Sequence, residues 1–174
     1  MGKFVSDIDA IRRRAREQIE KGPVTSGYKA DVKRVCEVLN EALATELVCV
    51  LRYKRHYFTA HGMNSPAVAD EFLEHATAEA GHADRIAERI VQLGGEPDFS
   101  PDTLLARSHA DYDASTDLRA MLRANLVAER VAVETYRQMI NLIGDKDPTT
   151  RRLIEEVLQD EEEHAEDLKD LLDE

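Results

Sequence analysis

The chain has 174 residues and a formal net charge of −12, with 23 Lys and Arg against 35 Asp and Glu. Hydrophobic residues make up 43%, enough for a packed core, while aromatics are only 5%, Trp is absent, and there are 8 Gly and 5 Pro. Few turn formers beside much Ala, Leu, Glu and Arg predict long helices rather than many short strands. The acidic balance excludes a protein that works mainly by neutralising phosphates. No apolar run approaches the ~20 residues of a membrane span, and the N-terminus lacks the apolar core of a signal peptide. Two cysteines, Cys36 and Cys49, make no disulfide framework. A soluble, cytoplasmic, helical protein is expected.

In chain order, residues 6–21 read as a short Arg-rich helix closed by Gly22 and Pro23. A long stretch over 29–60 ends in a turn at 61–66. The next runs over 67–93 and stops at Gly94 and Gly95, with Pro97 and Pro101 beyond. Residues 94–115 show no sustained period. A fourth stretch covers 116–143 and is stopped by Gly144 and Pro148; the last starts near Thr149, its expected N-cap, and continues close to Glu174. Short turns at 61–66 and 144–148 make two antiparallel pairs. A helix of ~27 residues is ~40 Å long, and a connection of about 22 extended residues reaches up to ~70 Å. The third long helix can therefore start at the far end. The expected architecture is all-α: a four-helix bundle with one long crossover between the second and third long helices, at 29–174, behind an N-terminal extension at 1–28 with a short basic helix.

Helix core faces read apolar at alternating spacings of three and four. The four seams are Leu39, Leu43, Glu46, Val50, Tyr53, Tyr57; then Val68, Phe72, His75, Glu79, His82, Ile86, Ile90, Leu93; then Leu122, Leu126, Glu129, Val133, Tyr136, Ile140, Ile143; and finally Ile154, Val157, Glu161, His164, Leu168, Leu171. Each is apolar except near its middle, where it carries a Glu, and two add a His three residues later. Glu46 and Glu79 are 33 apart and Glu129 and Glu161 are 32 apart, with Tyr53 and Tyr136 each seven after the lone Glu. The two halves look like an internal repeat.

Four unpaired carboxylates in a bundle core would each cost several kcal/mol, and no Lys or Arg lies on these seams. Two divalent cations would neutralise them, with two imidazoles as further ligands. Positions i and i+3 share a helix face, so Glu79 with His82, and Glu161 with His164, can bind from one side each. Oxygen-rich ligation with one His per metal suits Fe or Mn better than structural Zn.

At these residues the chain resembles bacterioferritin and its Dps-like relatives in the ferritin superfamily, whose bundles carry this set of carboxylates and imidazoles. The resemblance rests on ATELVCVLRY, EHATAEAGHADRIAERIVQLGGEP, LVAERVAVETYRQ and LIEEVLQDEEEHAEDL, and with their helices it covers roughly residues 30–172. It implies that Glu46, Glu79, His82, Glu129, Glu161 and His164 hold two Fe ions per subunit, Glu79 and Glu161 bridging, with Tyr53 hydrogen-bonded to a ligand. It further implies a ferroxidase that oxidises Fe²⁺ with O₂ or H₂O₂ and stores ferric mineral in a hollow homo-oligomeric shell.

The departures carry their own expectations. Bacterioferritin has its haem-ligating Met directly after the second-helix Glu, where this chain has Ala80, so no haem is predicted unless another Met substitutes. Only ten residues follow His164, too few for a fifth helix, which favours a dodecamer over a 24-mer. Cys36 and Cys49 lie ~20 Å apart on one helix and cannot bridge; Cys49, one turn from Glu46, reads as a small buried hydrophobe. The N-terminal segment holds Arg12, Arg13, Arg14 and Arg16, but residues 1–22 net only +2, so DNA binding is not expected. His75 reads as a core histidine or as a partner orienting a ligand; His56, His61 and His109 read as surface or interface residues. Glu162, Glu163 and Glu166 read as solvated helix face. The competing readings are a non-storage di-metal oxidoreductase, either a rubrerythrin-like peroxidase, which would need C-x-x-C pairs the chain lacks, or an oxygenase; and a non-catalytic DNA-compacting bundle.

Overall fold

A computed structural model describes residues 7–62 and 65–173. Expectations on residues 1–6, on 63–64 in the first turn and on the final Glu174 lie outside the described residues. Six α-helices are present among these: α1 (Ile8–Arg14), α2 (Val32–Thr59), α3 (Ser65–Gln92), α4 (Leu104–Arg107), α5 (Leu118–Ile143) and α6 (Pro148–Asp173). None is long and apolar enough to cross a membrane.

The four long helices fall within a few residues of their expected bounds because their ends are chemically marked. Asp31 and Asp117 accept from the backbone N–H of Arg34 (3.2 Å) and Ala120 (2.9 Å), satisfying donors the helix cannot pair itself. At the start of α6 the cap is Asp147 rather than the expected Thr149: its carboxylate accepts from the Thr150 N–H at 3.0 Å, two residues earlier than the sequence suggests. Gly144, at φ +54°, ends α5 in a conformation that costs other residues strain. The expected N-terminal helix is the poorest match. It stops at Arg14, Gln18 turns left-handed (φ 51°), and one 3₁₀ turn (Ile19–Lys21) follows. No residue of α1 is buried, so no packing offsets the cost of extending it.

α2 packs along α3 and α5 along α6. Two apolar clusters fix the topology. Val35, Ile90, Ile143 and Ile154 meet at one end, and Val68, Phe72, Leu122 and Leu168 at the other. The start of α5 therefore lies at the opposite end from the finish of α3, and the crossover travels the length of the bundle. It does so pinned to α2. Asn40 donates to the Glu96 carbonyl and accepts from the Asp98 N–H, the His109 N–H donates to Thr45, Arg52 to the Asp111 carbonyl, and Arg55 to the Ser115 carbonyl. These anchors satisfy backbone groups that a loop lying on a helix would otherwise bury unpaired.

Asp147 also ties the bundle end together. Its carboxylate meets the Arg89 guanidinium at 3.1 Å, the Tyr28 hydroxyl at 2.6 Å and the Thr150 hydroxyl, and the residue is 2% exposed. Burial pushes the Asp147 carboxyl up, but bonds from Thr150, Tyr28 and Arg89 outweigh it and hold it below the usual range. Asp147→Asn removes the charge opposite Arg89 and one acceptor. A loss of about 2 kcal/mol is expected from hydrogen bonds to a charged group, read as a lower urea midpoint with unchanged slope.

Candidate metal centre

Between the two apolar clusters lies a polar layer. Leu43 and Cys49 flank Glu46, Ala76 and Ala83 flank Glu79 and His82, Ala128 and Ala132 flank Glu129, and Val157 and Leu168 flank Glu161 and His164. One carboxylate comes from each long helix, and all four are at most 1% exposed; His82 and His164 are 3% and 8% exposed. Glu46, Glu79, His82 and Glu161 present ligand atoms within 4.8 Å of one another, as do Glu79, Glu129, Glu161 and His164. The structure thus brings together all six residues on which the sequence converged, as a buried Glu/His cluster that could hold metal.

Glu79 and Glu161 belong to both sets, and their oxygens divide accordingly. Oε2 of Glu79 lies 3.4 Å from His82 Nδ1 and its Oε1 3.8 Å from His164 Nδ1. Oε1 of Glu161 lies 3.2 Å from His82 Nδ1 and its Oε2 3.6 Å from His164 Nδ1. Glu46 Oε2 adds a third carboxylate oxygen 3.3 Å from His82 Nδ1. One ring nitrogen has at most one proton to share among three oxygens. Both oxygens of Glu79 and of Glu161, one of Glu129 and Nδ1 of His164 make no hydrogen bond. Unpaired buried oxygens in this number are costly, and hard or borderline cations are the partners that carboxylate and imidazole donors fit.

The electrostatics agree. Burial, then the charges of Glu79 and Glu161, push Glu46 and Glu129 well above the usual carboxylate range. Burial, then Glu79, raises Glu161. Burial also acts against ionising Glu79, but the neighbouring Glu46 carboxyl and the His82 and His164 rings hold it at about 2. Without a cation, burial and mutual repulsion therefore act against charging Glu46, Glu129 and Glu161 together.

The surroundings orient these groups. The Tyr53 hydroxyl donates to Glu129 Oε1 and lies 3.1 Å from His75 Nδ1; Tyr136 is fully buried with its hydroxyl unpaired. His82 Nε2 sits 3.0 Å from Asp160 Oδ2, the carboxylate–imidazole pairing that fixes a metal-binding ring. Asp160 was not among the candidates; its only mark in the sequence is its place beside Glu161.

Arg52 was missed for a better reason. It neighbours the seam residue Tyr53, yet it is fully buried, with Nη2 3.9 Å from Glu129 Oε1. Its Nε donates to Asn125 Oδ1 at 2.7 Å and its Nη2 to Cys49 Sγ at 3.4 Å. The layer therefore contains one built-in positive charge, contrary to the expectation from the seams. His56 is a second correction: it is not a surface residue but fully buried, bonded to Asn125 (3.1 Å), with its Nε2 3.2 Å from Asp113 Oδ1 and its ring packed on Phe72. His61 and His109 are exposed, as expected. Glu162, Glu163 and Glu166 are exposed. Cys49 is buried, Cys36 half-buried, and both are free thiols.

A family model for the ferritin-like domain matches residues 36–174. The chain belongs to the ferritin family. A nutrient stress-induced DNA-binding protein from Synechococcus is 32% identical over 154 residues, covering 85% of each chain. A bacterioferritin from Desulfovibrio desulfuricans is 29% identical over 144 residues, covering 80% of this chain and 75% of that one. Among solved structures, the bacterioferritin-related dodecameric thioferritin of Bacteroides fragilis superposes with a TM-score of 0.79 at 35% identity, over 83% of this chain and 87% of that one. Ferritin membership agrees with the bundle and its long crossover, and with an acidic layer at mid-height.

Proposed function

We propose that this ferritin-family chain is an iron-storage and detoxification ferroxidase: it oxidises Fe²⁺ with O₂ or H₂O₂ and keeps the ferric product inside a hollow homo-oligomeric shell. The observation that carries the reading is the division of Glu79 and Glu161 between His82 and His164, with both pairs of oxygens lacking a hydrogen bond. Glu46 and His82 serve one ion, Glu129 and His164 the other, and Glu79 and Glu161 are shared. Two ferrous ions bound there supply two electrons, enough to reduce O₂ to H₂O₂ or H₂O₂ to water. Four carboxylates favour the higher charge of Fe³⁺, which lowers the reduction potential. Asp160 holds the His82 ring, Tyr53 holds Glu129, and the apolar clusters above and below keep bulk water out. Ala80 follows Glu79 where a haem-ligating Met would stand in bacterioferritin, so the reading includes no haem.

The B. fragilis relative is dodecameric, and this chain is proposed to assemble likewise. Twelve subunits of 19.6 kDa would have a native mass of about 235 kDa and twenty-four about 470 kDa. Native mass followed by Fe²⁺ loading and air tests the reading: a large assembly retaining iron far beyond two per chain supports it, and a monomer or dimer contradicts storage.

One relative is named for DNA binding, and Arg12, Arg13 and Arg14 are exposed. Against a chain of net −12 these give weak attraction at physiological salt. A gel shift persisting there would favour the DNA-compacting alternative.

The raised carboxyls give a pH dependence of definite sign. In metal-free protein Glu46, Glu129 and Glu161 keep protons in the fold that they lose when unfolded above about pH 4.3. Stability from these groups is complete below that pH and falls as pH rises. Glu79, held at about 2, acts oppositely and only below the ordinary carboxylate range. Between about pH 5 and 8 the gain in melting temperature on adding Mn²⁺, a redox-quiet probe, is therefore expected to widen, because cation and protons compete for the same oxygens. Calorimetry showing a gain that shrinks with pH would contradict this.

A further inference from the structure

A third cluster lies outside the layer, and the ferroxidase reading does not use it. Glu71 and His75, one turn apart on α3, face Asp167 on α6, with ligand atoms of all three within 4.8 Å of one another. His75 Nε2 is 3.0 Å from Glu71 Oε1 and 3.8 Å from Asp167 Oδ2. The carboxylates are partly open, with side chains 29% and 46% exposed, whereas the His75 side chain is 2% exposed. Two acids near a surface would by themselves mean little. The imidazole distinguishes this pair: Nε2 of a buried ring is aimed at them and makes no hydrogen bond.

The proton count says what that nitrogen offers. The Tyr53 hydroxyl has one proton and donates it to Glu129. Its 3.1 Å contact with His75 Nδ1 therefore has the ring donating. In the neutral ring the proton is then on Nδ1 and the lone pair on Nε2, directed at two acceptor-only carboxylates. A lone pair and two anions repel one another unless a cation stands between them. One imidazole nitrogen with two carboxylates, and water on the open side, is a donor set for a divalent cation, and its two negative charges balance the cation's two positive ones.

We propose that Glu71, His75 and Asp167 form an outer divalent-cation site, distinct from the Glu/His layer. It opens to solvent and sits one ring away from that layer, since His75 stacks on His164 with centroids 4.0 Å apart. A cation on Nε2 fixes the Nδ1–H tautomer and so the direction of the chain from His75 through Tyr53 to Glu129, as the far nitrogen of a metal-bound imidazole does elsewhere. Occupancy of the outer site thus orients a residue of the inner one. The existence of the site does not depend on the ferroxidase reading; its influence on Glu129 does.

The test is anomalous diffraction at the zinc edge from crystals of the assembled full-length protein equilibrated with Zn²⁺, for the unaltered chain and for the double variant Glu71→Gln, Asp167→Asn. The expected result is a peak within bonding distance of His75 Nε2 in the unaltered protein, lost in the variant, while peaks among Glu46, Glu79, Glu129 and Glu161 remain in both and report an intact fold. Inner peaks with nothing at His75 would overturn the outer site and leave the inner reading standing. An outer peak undiminished in the variant would overturn its assignment to these carboxylates. An outer peak that the variant loses, with the inner positions empty, would support the outer site and defeat the di-metal reading.

Discussion

Glu79→Gln should lower the initial rate of Fe²⁺ oxidation by at least about 100-fold, a change of ~2.7 kcal/mol in barrier. The expectation is large because the two ligand sets share this residue: Oε2 faces His82 and Oε1 faces His164. Gln keeps the shape but offers a single carbonyl oxygen and no charge, so both ion positions weaken together. A residue serving one set alone, such as Glu46, should leave the other position able to bind. Glu163→Gln, on the solvated face of α6, is the control and should leave the rate unchanged. Oxidation by the Glu79→Gln protein at the unaltered rate would show that the chemistry lies elsewhere.

The second large effect concerns stability. Arg52→Ala should destabilise the metal-free fold by about 3–5 kcal/mol, the usual cost of removing one member of a buried charged network, seen as a fall of roughly 10 °C in melting temperature. Truncation strands Asn125 Oδ1 and the Asp111 carbonyl, opens space in a layer where the residue is fully buried, and takes away the positive charge nearest Glu129. Arg52→Lys should recover only part of the loss, because an ammonium cannot reproduce the fork that reaches α5 and the crossover together. Urea unfolding of both variants checks this, and a change in Arg52→Ala within about 0.5 kcal/mol, as for a surface site, would contradict the placement of Arg52 as a tie between α2, α5 and the crossover.

The bundle was legible because helix seams are periodic and a Glu at mid-seam interrupts that period visibly. Glu46, Glu79, Glu129 and Glu161 announce themselves as acids where apolar residues belong, and the matching spacings in both halves mark the layer in the sequence itself. Other parts carry no such mark. Arg52 and His56 follow the helical period, but Arg is a residue type that is mostly exposed and His an intermediate one, and it takes Asn125 of α5 and the crossover together to enclose them. The Asp147 cap was displaced because Thr149 is an equally good capping residue type; the choice was made by Arg89 and Tyr28, distant in sequence, which require a carboxylate at the bundle end. The N-terminal helix had the composition of a helix, but none of its residues is buried among the described residues of this chain. His75 lay on the seam as expected, while its outward nitrogen became visible only once α6 brought Asp167 to face it.

The central claim is that the buried layer is a site for two ferrous ions in each chain. Anaerobic titration of the metal-free protein with Fe²⁺ counts them directly. Two tight equivalents per chain, both abolished in Glu79→Gln, are the predicted result. No tight binding, or two equivalents that survive that substitution, would contradict it.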